Sequence, residues 1–290
     1  MKICLSTFYS SDLKRSANRF KEQAEKMKIY DKVFIFGRND LNEDFKQYVN
    51  SLLQIGKKKG YGYWVWQTYF HKKVLSQLNE GDIYHWCDVG CHFNFEGRKR
   101  LLEYLEILKK EPTGFLGFQY KDLNTDNNFN YPNYMEYQYT KSDLIKYFNL
   151  ENDDPIIKSP QVWGGSFFVR KCQKSLQIMN QHYEITRNRF DLIDDDEKKF
   201  IEKSVPEFIQ HRHSQSVLSL IVKKAGSKLL SAYESEWAID NQGNRTYNHL
   251  KNYPIIARRD KRKNFIRRFF ERQKKNINRK MNKFRNLYKR

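Results

Sequence analysis

Long apolar runs are missing from this chain. No stretch of its 290 residues approaches the roughly 18 consecutive apolar residues that a membrane-spanning helix needs. The opening segment, MKICLSTFYSS, has one Lys and no apolar core of signal-peptide length, so export is not expected. Cysteine is scarce: four in a chain this long make no disulfide framework, and a reducing, cytosolic address fits. Acids are in deficit, with 34 Asp plus Glu against 54 Lys plus Arg and a net charge of +20. Aromatics are not in short supply. At 16% of the chain, within 39% hydrophobic residues, they exclude a wholly disordered polymer and imply a packed core. The length allows one large domain or two small ones, and no internal repeat is present.

The surplus charge is concentrated at one end. Arg258–Arg290 holds 16 Lys plus Arg and 2 acids, a net of +14, which leaves 38 bases and 32 acids, a net of +6, on residues 1–257. A nucleic-acid-binding domain usually carries its basic patch on the fold itself. Residues 1–257 therefore read as a mildly basic folded domain and 258–290 as a basic tail, with no nucleic-acid partner expected. Within the tail, Ile266, Phe269, Phe270, Ile277, Met281, Phe284 and Tyr288 recur at three- to four-residue intervals, with gaps. A basic amphipathic helix of that kind lies on an anionic membrane surface, each cation contributing about 1 kcal/mol. The competing readings are a solvated charge run and a nucleic-acid-binding tail.

The apolar pattern alternates between strands and helices. Met1–Thr7 reads as a strand with Ile3, Leu5 and Thr7 on one face, followed by a helix over Ser16–Lys28 and a strand at Lys32–Phe36 closed by Gly37. Helices are expected at Asp44–Leu53 and Trp64–Leu78, then a strand at Ile83–Cys87 ending on Asp88-Val89-Gly90. Arg98–Lys110 is an amphipathic helix with Leu101, Leu102, Leu105 and Leu108 on one face. A strand at Phe115–Phe118, a long loop over Lys121–Tyr134, a strand within Pro160–Val169 and a helix over Cys172–His182 follow. A helix over Ser214–Lys224, stopped by Gly226, closes the series. Strand–helix alternation at this spacing predicts an α/β fold with a mixed, mostly parallel sheet flanked by helices.

Three blocks can carry chemistry. Asp88-Val89-Gly90 puts a carboxylate where an apolar strand ends, and ligands of open α/β sheets bind beyond carboxyl ends. Such a carboxylate holds a divalent metal or a ribose hydroxyl, and Gly90 admits a ligand to the backbone; a plain strand-end turn is the bland alternative. Gly60-Tyr61-Gly62-Tyr63 pairs a bendable backbone with flat rings suited to a nucleobase, a sugar or a diphosphate, while Trp64 is expected in the core. His211-Arg212-His213 places three basic side chains at the start of the Ser214 helix, a clash with the helix dipole that a bound anion removes. Zinc at His85, Cys87, Cys91 and His92 is disfavoured because no second ligand pair exists. Asp194-Asp195-Asp196-Glu197 reads as a helix start, with Asp194 and Asp195 paired to Lys198 and Lys199.

Taken in order, Gly60–Trp66, Gly81-Asp82-Ile83 into Cys87–Cys91, Trp163–Phe167 and His211–Ser216 resemble bacterial GT-A-type glycosyltransferases of capsule and lipopolysaccharide biosynthesis loci. The matching blocks span roughly residues 1–235. The resemblance implies a GT-A-like, Rossmann-related fold and transfer of a sugar from a nucleotide-sugar donor to a saccharide or lipid-linked saccharide acceptor. It implies a cytoplasmic enzyme peripheral to the inner face of the membrane, with an inactive sugar-binding relative as the alternative. Asp88 matches the family's metal-binding Asp-x-Asp position, which implies Mn²⁺ or Mg²⁺ there, although Gly90 stands where a second Asp would be. The implied donor site comprises Ser6, Gly60, Tyr61, Gly62, Tyr63, Asp88, Gly90, Gly164, Gly165, His211, Arg212 and His213. Ser214 resembles a position where relatives often carry Asp. Asp122, Asp126 and Glu234 are the candidates to replace that carboxylate, and no catalytic residue is assigned.

Overall fold

A computed structural model describes residues 1–123, 128–195 and 207–259. In chain order the elements are β1 (Ile3–Phe8), α1 (Lys14–Lys26), β2 (Lys32–Phe36), α2 (Glu43–Gln54), the single turn α3 (Gly60–Tyr63), α4 (Trp66–Leu75), β3 (Ile83–Cys87), β4 (His92–Phe93), α5 (Arg98–Lys110) and β5 (Phe115–Gln119). After these come β6 (Phe129–Asn130), α6 (Glu136–Tyr139), α7 (Ser142–Tyr147), β7 (Val162–Arg170), α8 (Gln173–Asn188), α9 (Ser214–Lys224), β8 (Lys228–Ser231), β9 (Ala238–Asp240), β10 (Arg245–Thr246) and β11 (Ile255–Ile256).

The main sheet runs β2-β1-β3-β7-β5-β8. β1 is parallel to β2 and β3, and β5 to β8, while β7 is antiparallel to both its neighbours, so five of the six strands point the same way. This is the mixed, mostly parallel arrangement expected. Two smaller sheets, β10-β9-β6 and β11-β4, sit outside it.

Helices cover both faces, and the strand sequences show why. All five residues of β3 are buried, as a strand with two covered faces requires. Tyr84 and Trp86 enter the core under α4, α8 and α9, with Phe115 and Phe167. Ile83 and Cys87 enter the opposite core under α1 and α5, with Leu116, Phe118 and Phe168. On α5, Leu101, Tyr104, Leu105 and Leu108 form the buried stripe, and each Leu contributes roughly 1.5–3 kcal/mol on burial. Leu102, expected on that stripe, is 39% exposed, because a residue next to Leu101 is rotated by about 100° around the helix. α9 ends as expected: Gly226 has φ +68°, its N–H donates to Lys223 O (3.0 Å), and Ser227 N–H donates to Val222 O (3.0 Å).

Three expectations need correction or restriction. The Lys121–Tyr134 stretch is not wholly loop, since β6 pairs with β9 through Phe129 and Asn130. Asp194 and Asp195 find partners far away in sequence: Asp194 binds Lys57 and Lys141 (both 3.2 Å), and Asp195 binds Lys59 (2.8 Å). Asp126, Asp196, Glu197, Lys198, Lys199 and tail residues 260–290 lie outside the described residues.

Candidate functional site

Because five strands are parallel, β1, β2, β3, β5 and β8 bring their carboxyl ends to one edge of the sheet, where β7 begins. Asp88 follows β3 there. Its backbone N–H donates to Gly165 O (2.8 Å), and its carbonyl accepts from Cys91 N–H (2.9 Å), which closes the turn through Gly90. The next residue along β7, Gly164, donates its N–H to Gln215 Oε1 (3.1 Å), and Gln215 Nε2 donates to Gln161 Oε1 (2.8 Å). Gly165 leaves no room for a side chain, and Gly164 is tightly packed. A Cβ at Gly165 would lie 2.4 Å from the Trp163 ring, and one at Gly164 would lie 3.2 Å from the Gln215 side chain.

Arg212 stands one turn before Gln215, whose N–H donates to the Arg212 carbonyl (3.1 Å). Its guanidinium carbon is 4.3 Å from the Tyr139 ring centroid, 4.4 Å from Tyr134 and 5.4 Å from Tyr120. The flanking histidines turn inward instead. His211 Nε2 donates to Leu192 O (3.1 Å) while Nδ1 accepts from Lys141 N–H (3.3 Å), and His213 Nδ1 donates to Ile193 O (2.7 Å). Burial pushes both below the usual histidine range, His213 to about 4, so they are neutral near pH 7. The expected three-residue cation is therefore Arg212 alone. The histidines anchor Leu192–Asp195 instead, and His213 takes up a left-handed φ of +56° to do so.

The Gly60 block is bent by an uninterrupted run of positive φ: Gly60 +55°, Tyr61 +57°, Gly62 +81°, Tyr63 +57° and Trp64 +63°. Left-handed backbone is costly for a residue with a Cβ, and here the surroundings hold it. Gly60 lies against the Trp64 indole, where a Cβ would come within 2.3 Å of the ring, and Trp66 Nε1 donates to Gly60 O (2.9 Å). Gly62 and Tyr63 are internal, and burial pushes the Tyr63 phenol up to about 12. Trp64, expected in the core, stacks on His213 (5.5 Å, 19°), and it is Trp66 that enters the core, against Phe8 (3.8 Å). Tyr61 reaches the sheet edge, stacked beside Phe8, with the exposed Arg38 guanidinium 4.1 Å from its ring. Ser6 does not belong to the site. β1 continues to Phe8, which leaves Ser6 mid-strand, fully buried and 2.8 Å from Tyr84 OH.

The carboxylates sort by surroundings. Glu234 is buried, takes both Arg100 Nε (2.7 Å) and Nη2 (2.8 Å), and accepts from Tyr104 OH (2.6 Å), which makes it a clamp on α5. Glu234→Gln is expected to lower the melting temperature, as loss of a charge-assisted hydrogen bond worth about 1.5–3 kcal/mol, while turnover per folded molecule is unchanged. Thermal melting alongside an activity assay checks this. Asp122 is exposed. Ser214 is buried with Oγ 2.9 Å from His182 Nε2, so the position matched to an Asp in relatives points into the core and not into the cleft. Glu236 is the carboxylate that sequence reasoning missed. It is half-buried in the segment between β8 and β9. Its charge adds to burial in raising the Tyr120, Tyr134 and Tyr247 phenols. Together with Asp88 it also raises the Cys91 thiol, already held up by Cys87 and by burial.

The expected Mn²⁺ or Mg²⁺ at Asp88 is not supported by the donors. Gly90 supplies no side chain, and among the described residues no group of three or more His, Cys, Asp or Glu is placed to hold a metal ion. The two ring nitrogens of His85 lie 2.8 Å from Tyr30 OH and Ser166 Oγ.

No protein-family model matches the chain, and no curated protein matches it. Among solved structures it is similar to a glycosyltransferase involved in glycosylating the major capsid of PBCV-1, at 9% identity and a TM-score of 0.44 over 88% of this chain and 92% of that one. It is similar to mouse xyloside xylosyltransferase 1, at 10% and 0.41 over 81% and 87% of the two chains. It is similar also to the galactosyltransferase LgtC in complex with donor and acceptor sugar analogues, at 8% and 0.37 over 87% and 86%. At that distance the likeness assigns no residue a role.

Proposed function

We propose that this chain is a GT-A-type glycosyltransferase, moving a sugar from a nucleotide-sugar donor to a saccharide acceptor. One observation carries the reading. The blocks quoted for the resemblance, far apart in sequence, meet at the carboxyl edge through the Asp88–Gly165 and Gly164–Gln215 hydrogen bonds and the Trp64–His213 stack.

The parts divide the task. Tyr61, with Arg38 across its face, offers a flat surface for the base at the ends of β1 and β2. The Asp88 carboxylate accepts a ribose or sugar hydroxyl, and Gly164-Gly165 lets the sugar lie against the backbone. The tyrosines around Arg212 wall the reaction space. In the transfer, the anomeric carbon's bond to the diphosphate oxygen breaks with the electron pair leaving on phosphate. A bond to the acceptor oxygen forms, and the acceptor proton passes to Glu236. Positioning and preset charge supply the acceleration. The setting in which we place this chemistry is synthesis of a bacterial surface polysaccharide, capsule or lipopolysaccharide, on the cytoplasmic face of the membrane. The basic tail would hold the enzyme against anionic lipid and close to a lipid-linked acceptor.

A thermal-shift screen of nucleotides and nucleotide-sugars, with and without Mn²⁺ or Mg²⁺, tests the reading. A ligand at 100 times its Kd adds about 2.7 kcal/mol of stability, a rise of roughly 5–10 °C for a chain of this size. Asp88→Ala should abolish most of that rise, measured against the variant's own ligand-free melting temperature. If no nucleotide or nucleotide-sugar shifts the wild type under any condition, the reading fails.

A further inference from the structure

A leaving diphosphate needs positive charge beside it, and Arg212 is placed for that purpose. Its backbone is fixed on both sides. The N–H donates to Tyr139 O (3.1 Å) and Ser216 Oγ (3.2 Å), and the carbonyl accepts from Gln215. The side chain is half-buried among the Tyr120, Tyr134 and Tyr139 rings, and no described carboxylate forms an ion pair with it. Ring faces return about 0.5–2 kcal/mol to a cation, whereas withdrawing an ion from water costs several. A preset, half-buried cation surrounded by neutral phenols is short of an anion.

A second arginine, on another element, has its charge felt at one of the same phenols. Arg245 of β10 lies 3.6 Å over Trp237. Arg212, Arg245 and Glu236 all act on the Tyr134 phenol, which burial raises. The charges of both guanidinium groups are felt at this phenol, and a diphosphate is an anion of matching charge. The Asp88 turn offers a single carboxylate, and among the described residues no group of three or more His, Cys, Asp or Glu is placed to hold a metal ion, so a divalent ion there would depend on water and the ligand's own phosphates. The cation supply of this site is guanidinium, with planar forks that match phosphate oxygens.

Building on the transferase reading, we infer that Arg212, assisted by Arg245, neutralises the leaving diphosphate in place of a metal ion, so that this site binds diphosphates and turns over without metal. The electron pair of the breaking sugar–phosphate bond comes to rest on an oxygen held by the Arg212 fork, and no further reactant is required.

The test uses the full chain with inorganic pyrophosphate, titrated by calorimetry in EDTA, and donor turnover measured in EDTA and in Mn²⁺. The wild type should bind pyrophosphate in EDTA, with affinity and turnover changing less than about threefold on adding Mn²⁺. Arg212→Gln should weaken pyrophosphate about 10–100-fold and lower kcat at least as much. Arg212→Lys should recover little, because an ammonium lacks the fork. Arg245→Gln, on an exposed strand where folding is not at stake, should weaken binding about 3–10-fold. Binding or turnover that appears only with Mn²⁺ or Mg²⁺ would overturn the proposal and leave the transferase reading intact. Wild-type binding by a folded Arg212→Gln, or by Arg245→Gln if Arg212→Gln does not fold, would overturn it too. Pyrophosphate binding through Arg212 without any response to nucleotide-sugars would sink the transferase reading and keep the anion site.

Discussion

Glu236→Gln should lower kcat by about 10²–10⁴-fold, the usual contribution of a positioned general base, while KM for the donor moves less than about threefold. The split follows from where Glu236 lies. Its charge is felt by Tyr120, Tyr134 and Tyr247, while the donor site we propose is Asp88, the Gly164-Gly165 backbone and Tyr61. Loss of a group used only in the transition state lowers kcat without loosening ground-state binding. Steady-state kinetics on purified, folded variant decide it. If kcat stays within a few-fold of wild type, the acceptor proton departs on the leaving phosphate and Glu236 only tunes its tyrosine neighbours.

Lys223→Met should cost about 3–5 kcal/mol, the usual penalty for stripping one partner from a buried ion pair, or roughly 6–20 °C in Tm. Lys223 Nζ donates to Glu136 Oε2 at 2.6 Å, and Glu136 is wholly buried. Thr140 Oγ1 (2.5 Å), Ser219 Oγ (2.5 Å) and Gln161 Nε2 (3.1 Å) complete the carboxylate's shell. Without Lys223 the negative charge stays buried, supported only by neutral donors. Removing the charge as well, in Glu136→Gln/Lys223→Met, should recover most of the loss, and denaturant melts of both variants give the comparison. Equal stability of the single and double variants would mean that Lys223 matters through packing. The effect should reach the cleft, since Gln161 also accepts from Gln215, the residue that receives the Gly164 N–H.

Where sequence reading succeeded, the pattern repeated often enough to be read. Lys32–Phe36, Ile83–Cys87, Arg98–Lys110 and Ser214–Lys224 have the bounds expected of them, because apolar alternation or a helical stripe runs through each and Gly or polar residues close it. The small strands β4, β6, β9, β10 and β11 were invisible because two or three residues show no period. Side-chain direction was harder. His211 and His213 look cationic as neighbours of Arg212, yet successive residues entering this helix point to different sides, and burial removes the charge of both histidines. Leu102 failed for a related reason, a rotation that an apolar count ignores. Asp88, Gly164 and Gly165 were legible because strand ends and close backbone approach leave a compositional mark. Glu236 was not, because nothing near it distinguishes it from the clamp Glu234 two residues earlier.

The strand order also bears on how the protein is made. β1, β2 and β3 pair among themselves and all precede Asp88 in the chain, so this half of the sheet is able to close early in synthesis. β5 must wait for β7 on one side and for β8, much later in the chain, on the other. Pairings this distant in sequence are the slow ones. Gly164, Arg212 and Glu236 all belong to that late half, as β7 itself, the lead-in to α9 and the turn after β8. A nascent chain stalled before α9 would thus own the Asp88 turn and the Tyr61 surface but no centre for the chemistry. On the transferase reading, the proposed centre is completed only when β8 docks.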